Sequence, residues 1–512
     1  MIFDHKLFVR TGVFLILGLS LTVMMAVYGL AGSLDRGERV LWVAIMLIAS
    51  VSAYGMIMHH WQLGILCLLA YMPFSGLPGI LLYSSIGTGW ASLFKDVLFV
   101  IPAYMSFVGW AMRNRGVAHP RGTTQILMLL LAGLVTLNLF NSELLSPLVG
   151  LIGLKVWLFY IPLYFLGYHL VDSKEQLIRL ARVMLAIGMI PVIYGIGQAI
   201  ALYSGFAELA YGLHGLAAED ATQFYTTFSE AGGQGLSRLP SLFTFVTQYI
   251  TFLVGLLPFS YALWMGADPR RGPRVWYLIS LGLIVLAGPL SGARAAYVLF
   301  PAYFGLALCL DGRWTNWWKP TLAITCMIPA GLGALVWLLG SMPNTFLDFV
   351  VDITGGYLSI GREESVIHQF TDALSVTWIG MGTGIATGPA RYASAVLEGI
   401  PATEANISGV EAFYAKTIVE LGVPGLIVVV LLLGWLLIAG YLRLREVKDE
   451  PLRVIGVALL SFLGLVVLYL FKGSFLDIDP LNVYFWLFAG VLMKLPQLQA
   501  NSALGGPILA RS

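Results

Sequence analysis

The sequence predicts an all-α integral membrane protein with about fourteen transmembrane helices and a large loop on the outer side, 342–412, containing short helices. Three observations predict it. Hydrophobic residues make up 58% of the chain and charged residues only 11%, against about 25% charged in a soluble domain. Apolar runs of about 17 to 25 residues recur from end to end, each long enough to cross hydrocarbon. Lys and Arg then alternate between rich and poor loops, as the bias of short cytoplasmic loops requires.

Taken in order, the runs lie near 12–30, 41–58, 61–82, 94–112, 125–141, 153–171 and 183–203. They continue near 242–265, 276–292, 295–310, 321–341, 413–440, 454–471 and 480–495. The third holds "MPFSGLPGILLY", so Pro and Gly should break it at its outer end. The opening "MIFDHKLFVR" leads into an apolar run without a cleavage signal and reads as the approach to a first helix. The cation-rich loops are "RNRGVAHPR", "VDSKEQLIR", "GADPRRGPR", "DGRWTNWWK" and "YLRLREVKDEPLR". These read as cytoplasmic, which puts both termini in the cytoplasm.

The chain reads as a single transmembrane domain over 1–512. Two outer segments, 204–241 and 342–412, are too long for simple turns. The larger holds "GREESVIHQFTDALSV", with Val366, Phe370, Leu374 and Val376 expected roughly on one side of a short helix. Other classes are excluded. Cys67, Cys309 and Cys326 lie inside apolar runs, so they make neither a disulfide framework nor a metal site. A net charge of +2 without a basic arm gives no reason to expect nucleic acid.

The outer cations are the candidate site. An arginine at mid-bilayer costs roughly 3 kcal/mol or more, yet "AGPLSGARAAYVLF" carries Arg294. The helix before it starts at the cytoplasmic "PRRGPR" and ends near Ser291, so Arg294 belongs at the outer interface. Alone it reads equally as a snorkelling anchor. The other outer cations are Arg36, Arg39, Lys155, Arg238, Arg362, Arg391, Lys416 and Lys472. Arg238 precedes a helix in "GLSRLPSLFTF", Lys155 opens one in "GLIGLKVWLFY", and Arg362 opens a loop helix in "SIGREESV". Brought together, these four would bind an anion, arginine bidentately and lysine as a point charge. A lipid-linked phosphate or diphosphate is the natural anion at that depth.

Other polar groups have plainer readings. His59 and His60 fall in a cytoplasmic turn, as a solvated pair. Glu364 and His368 stand i, i+4 and should pair with each other. "GMGTGIATG" lacks the Lys-Ser/Thr of a phosphate loop and reads as a tight loop where backbone meets backbone or a ligand. No Asp/Glu cluster or His motif calls for a metal. "NIS" at 406–408 matches a glycosylation acceptor.

Four stretches together resemble the bacterial O-antigen ligase and polymerase family of membrane glycosyltransferases. They are "RLPSLFTFVTQYITFLVGLLP" (238–258), "GPLSGARAAYVLF", "GREESVIHQFTDALSVTWIGMGTG" (361–384) and "EAFYAKTIVELGVPGLI" (411–427). Their order and spacing, over roughly 235–440, carry the resemblance. Where the family often has His-Asn before "ELG", this chain has Glu411-Ala412.

The resemblance implies transfer of a glycan from undecaprenyl diphosphate to a sugar hydroxyl, on the periplasmic face of the bacterial inner (cytoplasmic) membrane. Arg294 and Arg362 would stabilise the departing diphosphate, with Arg238 and Lys155 assisting. Glu411 would be the base for the acceptor hydroxyl, with His368 in reserve. Tyr414 would contact a sugar or acceptor. No metal and no cofactor are needed, since diphosphate is already a good leaving group. The partners are the lipid-linked donor, a lipid-linked acceptor and membrane lipid. A chain-length regulator and a flippase are compatible further partners. The span count and the absent His-Asn favour a polymerase of repeat units. A ligase acting on lipid A core or protein is the nearer alternative. A flippase without chemistry is the more distant one, but it should carry charges along a path through the bundle, and here they cluster at the two faces.

Overall fold

The computed structural model describes residues 50–81, 93–114, 122–144, 146–214, 238–267, 273–293, 295–311, 366–387 and 410–503. The described residues are helical and include no strand. After a helix over 50–59, the main elements are α1 (Trp61–Tyr71), α2 (Ile101–Arg113), α3 (Thr123–Leu137), α4 (Pro147–Leu158), α5 (Leu163–Leu170) and α6 (Lys174–Tyr203). They continue as α7 (Val246–Gly266), α8 (Pro273–Leu290), α9 (Ala296–Asp311), α10 (Val366–Val376), α11 (Phe413–Glu446), α12 (Glu450–Tyr469) and α13 (Leu481–Ala503).

Eight of the described helical spans are long and apolar enough to cross a membrane, α3 with the turn to Phe140 counting as one and α4 with α5 as another. The protein is therefore an all-α membrane protein, as expected. Trp61–Phe74 and Ala296–Asp311 are apolar but shorter. The runs at 12–30 and 321–341 lie outside the described residues, as do most of both outer segments. The third run breaks where Pro and Gly predicted. α1 ends at Tyr71, a 3-10 turn covers Met72–Phe74, and a short helix resumes at Leu77–Leu81.

The chain divides into two compact units, 1–118 with 186–249, and 119–185 with 250–512. In the first, the backbone over 238–245 is irregular, and residues 239–243 are buried. Irregular backbone is tolerated at membrane depth only where protein groups satisfy it, and here they do. Ser241 N donates to Gln198 Oε1 (2.9 Å), whose amide donates to Ala210 O (2.9 Å). Ser241 holds φ at 57°, and its hydroxyl donates to Pro191 O. Gly76 lets the two segments touch, because a Cβ there would stand 2.3 Å from Phe243 Cα.

His214 closes the same segment with a 3.1 Å hydrogen bond between Nε2 and Phe243 O. The carbonyl requires Nε2 to carry the proton, so Nδ1 is the bare nitrogen, and it is buried with no hydrogen-bond partner. Burial lowers the imidazole's proton affinity below its ordinary 6.5, only partly offset by the bond to Phe243. A lowered histidine pKa leaves the contact fully stable above 6.5 and weakens it as pH falls below. Acidification should therefore release 207–214. Hydrogen exchange of its amides, corrected for intrinsic rate, should rise below pH 6.5, and His214→Asn should abolish that dependence.

The second unit is held by close helix contacts. Its tightest pair is α5 with α13. A Cβ at Gly490 would lie 2.0 Å from Tyr164 O, and one at Gly167 2.1 Å from Leu487 O. Small residues allow this approach, which supplies the packing that drives helix association in lipid. Gly490→Ala should lower the unfolding temperature in detergent, by overpacking worth about 1–3 kcal/mol. Gly282→Ala on α8 meets nothing within 4 Å, and should be neutral or slightly stabilising. Equal effects from both would contradict this packing.

Candidate functional site

One buried polar centre dominates the second unit, and it is built on a break in α11. Gly422 has φ 73° and ψ −176°, and Pro424 follows it. Proline has no N–H, so the carbonyl four residues back, on Glu420, loses its helical partner. The turn at Gly422 also directs Val423 N to Trp378 O (2.9 Å) instead of Val419. Two carbonyls, on Val419 and Glu420, are thereby freed. The glycine-rich loop occupies them. Met381 N donates to Val419 O (2.8 Å) and Gly382 N to Glu420 O (3.3 Å).

Glu420 then holds the rest of the loop with its side chain. It is fully buried, and its carboxylate accepts four hydrogen bonds. Oε2 takes Trp157 Nε1 (2.6 Å) and Gly384 N (2.9 Å). Oε1 takes Thr387 Oγ1 (2.6 Å) and Ala386 N (3.1 Å). The glycines are needed for fit as well as for conformation. Gly384 has φ 98°, and a Cβ there would meet Val149 O at 2.3 Å. A Cβ on Gly153 of α4 would meet Gly384 N at 2.4 Å.

A second buried pair lies beside it. Lys416 Nζ contacts Asp477 Oδ2 at 2.6 Å, with both side chains almost wholly covered. The ammonium also sits 4.7 Å from the centre of the Trp157 ring, an attractive placement over an aromatic face. Burial raises the Asp477 carboxyl above its ordinary 3.8, Lys416 pulls it down, and Glu420 pushes it up. The cluster thus holds one ammonium and two carboxylates in apolar surroundings.

The loop helix α10 docks on the start of α11. Glu411 N (3.0 Å) and Ala412 N (2.9 Å) both donate to Gln369 Oε1. Phe370 and Leu374 pack against a small core of Ala373, Ala386, Ala412, Ala415, Ile418 and Val419. Phe370 and Leu374 therefore face inward, as expected of that helix. Val376 does not, being 53% exposed, because six residues past Phe370 is about 240° around a helix. The side chain of Val366 lies outside the described residues.

The expected site residues fall as follows. Arg294, Arg362 and Glu364 lie outside the described residues. The turn carrying Arg294 is described up to Ala293. Gly292 has φ 72°, and Ser291 Oγ accepts from Ala293 N (3.3 Å). Arg238, in the first unit, is half-buried where the irregular segment begins. Lys155, in the second, does not open its helix. Ser146 caps Leu148 N, and Pro147 starts α4 eight residues earlier. Lys155 is half-buried, two residues and thus about 200° from Gly153 and from Trp157. It does not face the buried centre.

Glu411 is exposed, with Lys472 Nζ 3.6 Å from its Oε2. Ser474 Oγ donates to the Glu411 carbonyl (2.9 Å). Its carboxylate does not cap α11, whose N-cap residue is Ala412 and receives no side-chain cap. His368 Nδ1 pairs with Asp372 Oδ2 at 2.7 Å, on the helical turn after it. Gln369, next to His368 in the chain, accepts from Glu411 N and so ties the two segments together. Tyr414 is buried, and its hydroxyl donates to Val467 O (3.0 Å), while its ring packs 4.7 Å from Phe471. Its ring is core, not an open sugar face.

Several residues escaped the sequence reading. Trp157, Gln369 and Asp477 gave no motif, and Glu420 served only to mark the "ELG" of the resemblance. Lys95 was passed over as an outer cation. It is buried, 3.3 Å from Asp96, beside a π-turn over Asp96–Val100. Among the described residues, no three His, Cys, Asp or Glu side chains converge as a metal would require. Neither a family model nor a curated protein matches this chain.

Proposed function

We propose that the protein is a polysaccharide polymerase of the inner membrane, crossing it about fourteen times. It transfers a growing glycan from undecaprenyl diphosphate to a second lipid-linked repeat unit on the periplasmic face. Arg294 and Arg362, aided by Lys155, take the charge that builds on the diphosphate. Glu411 removes the acceptor proton, and His368 is the reserve.

One observation supports this reading most. The two stretches nearest the proposed chemistry, 361–384 and 411–427, meet as one hydrogen-bonded body wherever they are described. Gln369 joins α10 to α11, and Glu420 joins the glycine loop to α11. Glu411 and His368 ride on that body, where an acceptor sugar at the membrane surface would pass. The exposure of Glu411 suits a base that must meet a hydroxyl.

The acceptor decides between the polymerase and its alternatives. Purified protein in vesicles receives undecaprenyl-diphosphate repeat unit with either more repeat unit or lipid A core. Undecaprenyl diphosphate release with the repeat unit supports the polymerase. Release only with lipid A core makes it the ligase. Movement of intact donor across the bilayer without release makes it the flippase.

A further inference from the structure

We propose that residues 378–387 form a re-entrant segment, with the Trp378–Ile379 tip buried among the acyl chains of the outer leaflet. The leaflet follows from the orientation proposed above. Burial in lipid does not depend on it, or on any transfer activity.

The first argument is the exposed surface. Trp378 is 69% exposed and Ile379 is 79% exposed. Two adjacent large apolar side chains are costly in water. They are not isolated, for Asn141 Nδ2 donates to Gly380 O (2.8 Å) and Val423 N to Trp378 O. These bonds set the tip beside the end of α3 and the kink of α11. There Leu137, Phe140 and Ile427 are also exposed, at 69%, 84% and 53%. Leu137 and Phe140 belong to one candidate membrane span and Ile427 to another. The tip thus continues a face that the spans already present to lipid.

The second argument is depth. Thr383 N donates to Asn138 O (3.3 Å) and its hydroxyl to Val135 O (2.8 Å). Val135 lies five residues inside the span that ends at Phe140, or about 8 Å along the axis. The loop therefore runs below the end of the helix it touches.

The third argument is hydrogen bonding. Lipid offers no partner to irregular backbone. Gly380 N donates to Thr377 Oγ1 and Met381, Gly382 and Thr383 to backbone carbonyls. Gly384 and Ala386 donate to the Glu420 carboxylate. Thr387 N donates back to Gly384 O. Seven of the ten N–H groups over 378–387 are thus held by protein acceptors, more than a loop in water needs. By contrast, Thr371, Asp372 and Ser375 on α10 are exposed and polar, as a water-facing surface should be.

The test uses the full chain with Cys67, Cys309 and Cys326 changed to Ala. Ile379→Cys is labelled with an environment-sensitive nitrobenzoxadiazole dye and placed in phosphatidylcholine vesicles. Thr371→Cys is the water-facing reference. Lipids carrying a nitroxide near the head group should quench the dye at 379 several-fold more than at 371. Aqueous iodide should do the reverse. A ratio of lipid to iodide quenching at 379 no higher than at 371 overturns the proposal. If Ile379→Cys fails to reconstitute, Trp378→Cys is read by the same ratio.

Discussion

Glu420→Ala should unfold the part of the second unit built around the glycine-rich loop. The substitution strips the acceptor from four donors at once, on Trp157, Gly384, Ala386 and Thr387. A buried donor left without a partner costs about 1–3 kcal/mol. Four together exceed what one local contact can recover, even after relaxation. Glu420→Gln should be milder, because its amide oxygen keeps two donors while its NH2 faces the other two. The order expected for the unfolding temperature in detergent is wild type, Gln, then Ala. Protease cleavage within 378–387 should increase in the same order. An alanine variant as stable as wild type would mean that Glu420 does not hold this loop.

Arg294→Ala should abolish most transfer while leaving the protein folded. A preorganised cation aimed at charge that develops on a leaving group contributes about 10²–10³-fold in rate. Loss of that size in turnover, with an unchanged unfolding temperature, is the expected result. Arg294→Lys should recover only part, since an ammonium cannot grip two phosphate oxygens at once. A turnover within threefold of wild type in Arg294→Ala would leave Arg294 as a snorkelling anchor.

Much of the fold was legible because hydrophobic length is a local property. The run at 413–440 became α11 and the run at 454–471 became α12, because the bilayer sets how long each must be. The break after Tyr71 was legible too, because Pro73 and Gly76 act on their own backbone. The buried centre was not. Trp157 meets Glu420 across 263 positions, and no local pattern encodes such a pairing. One signal was available. A glutamate inside "FYAKTIVELGVPGLIVVV" is too costly at that depth unless donors surround it. The nearby "GMGTGIATG" was an obvious source of bare N–H groups. It had been read as a place where backbone meets backbone, and at Gly153 and Gly422 it is. Lys155 was misplaced for a different reason. The apolar run seemed to start at Gly153, but Ser146 and Pro147 begin the helix earlier, by capping and by a preset φ.

The platform of α10, the glycine loop and the start of α11 gives the account its centre. The account holds that this protein elongates lipid-linked glycan unaided. The most direct test incubates the purified wild-type chain in lipid with undecaprenyl-diphosphate repeat unit and a chelator, and nothing else. The account predicts a ladder of longer lipid-linked glycans, with one undecaprenyl diphosphate released per unit joined, and no ladder from Glu411→Gln or Arg294→Ala. Intact donor, with no ladder and no undecaprenyl diphosphate released by folded wild-type protein, would contradict it.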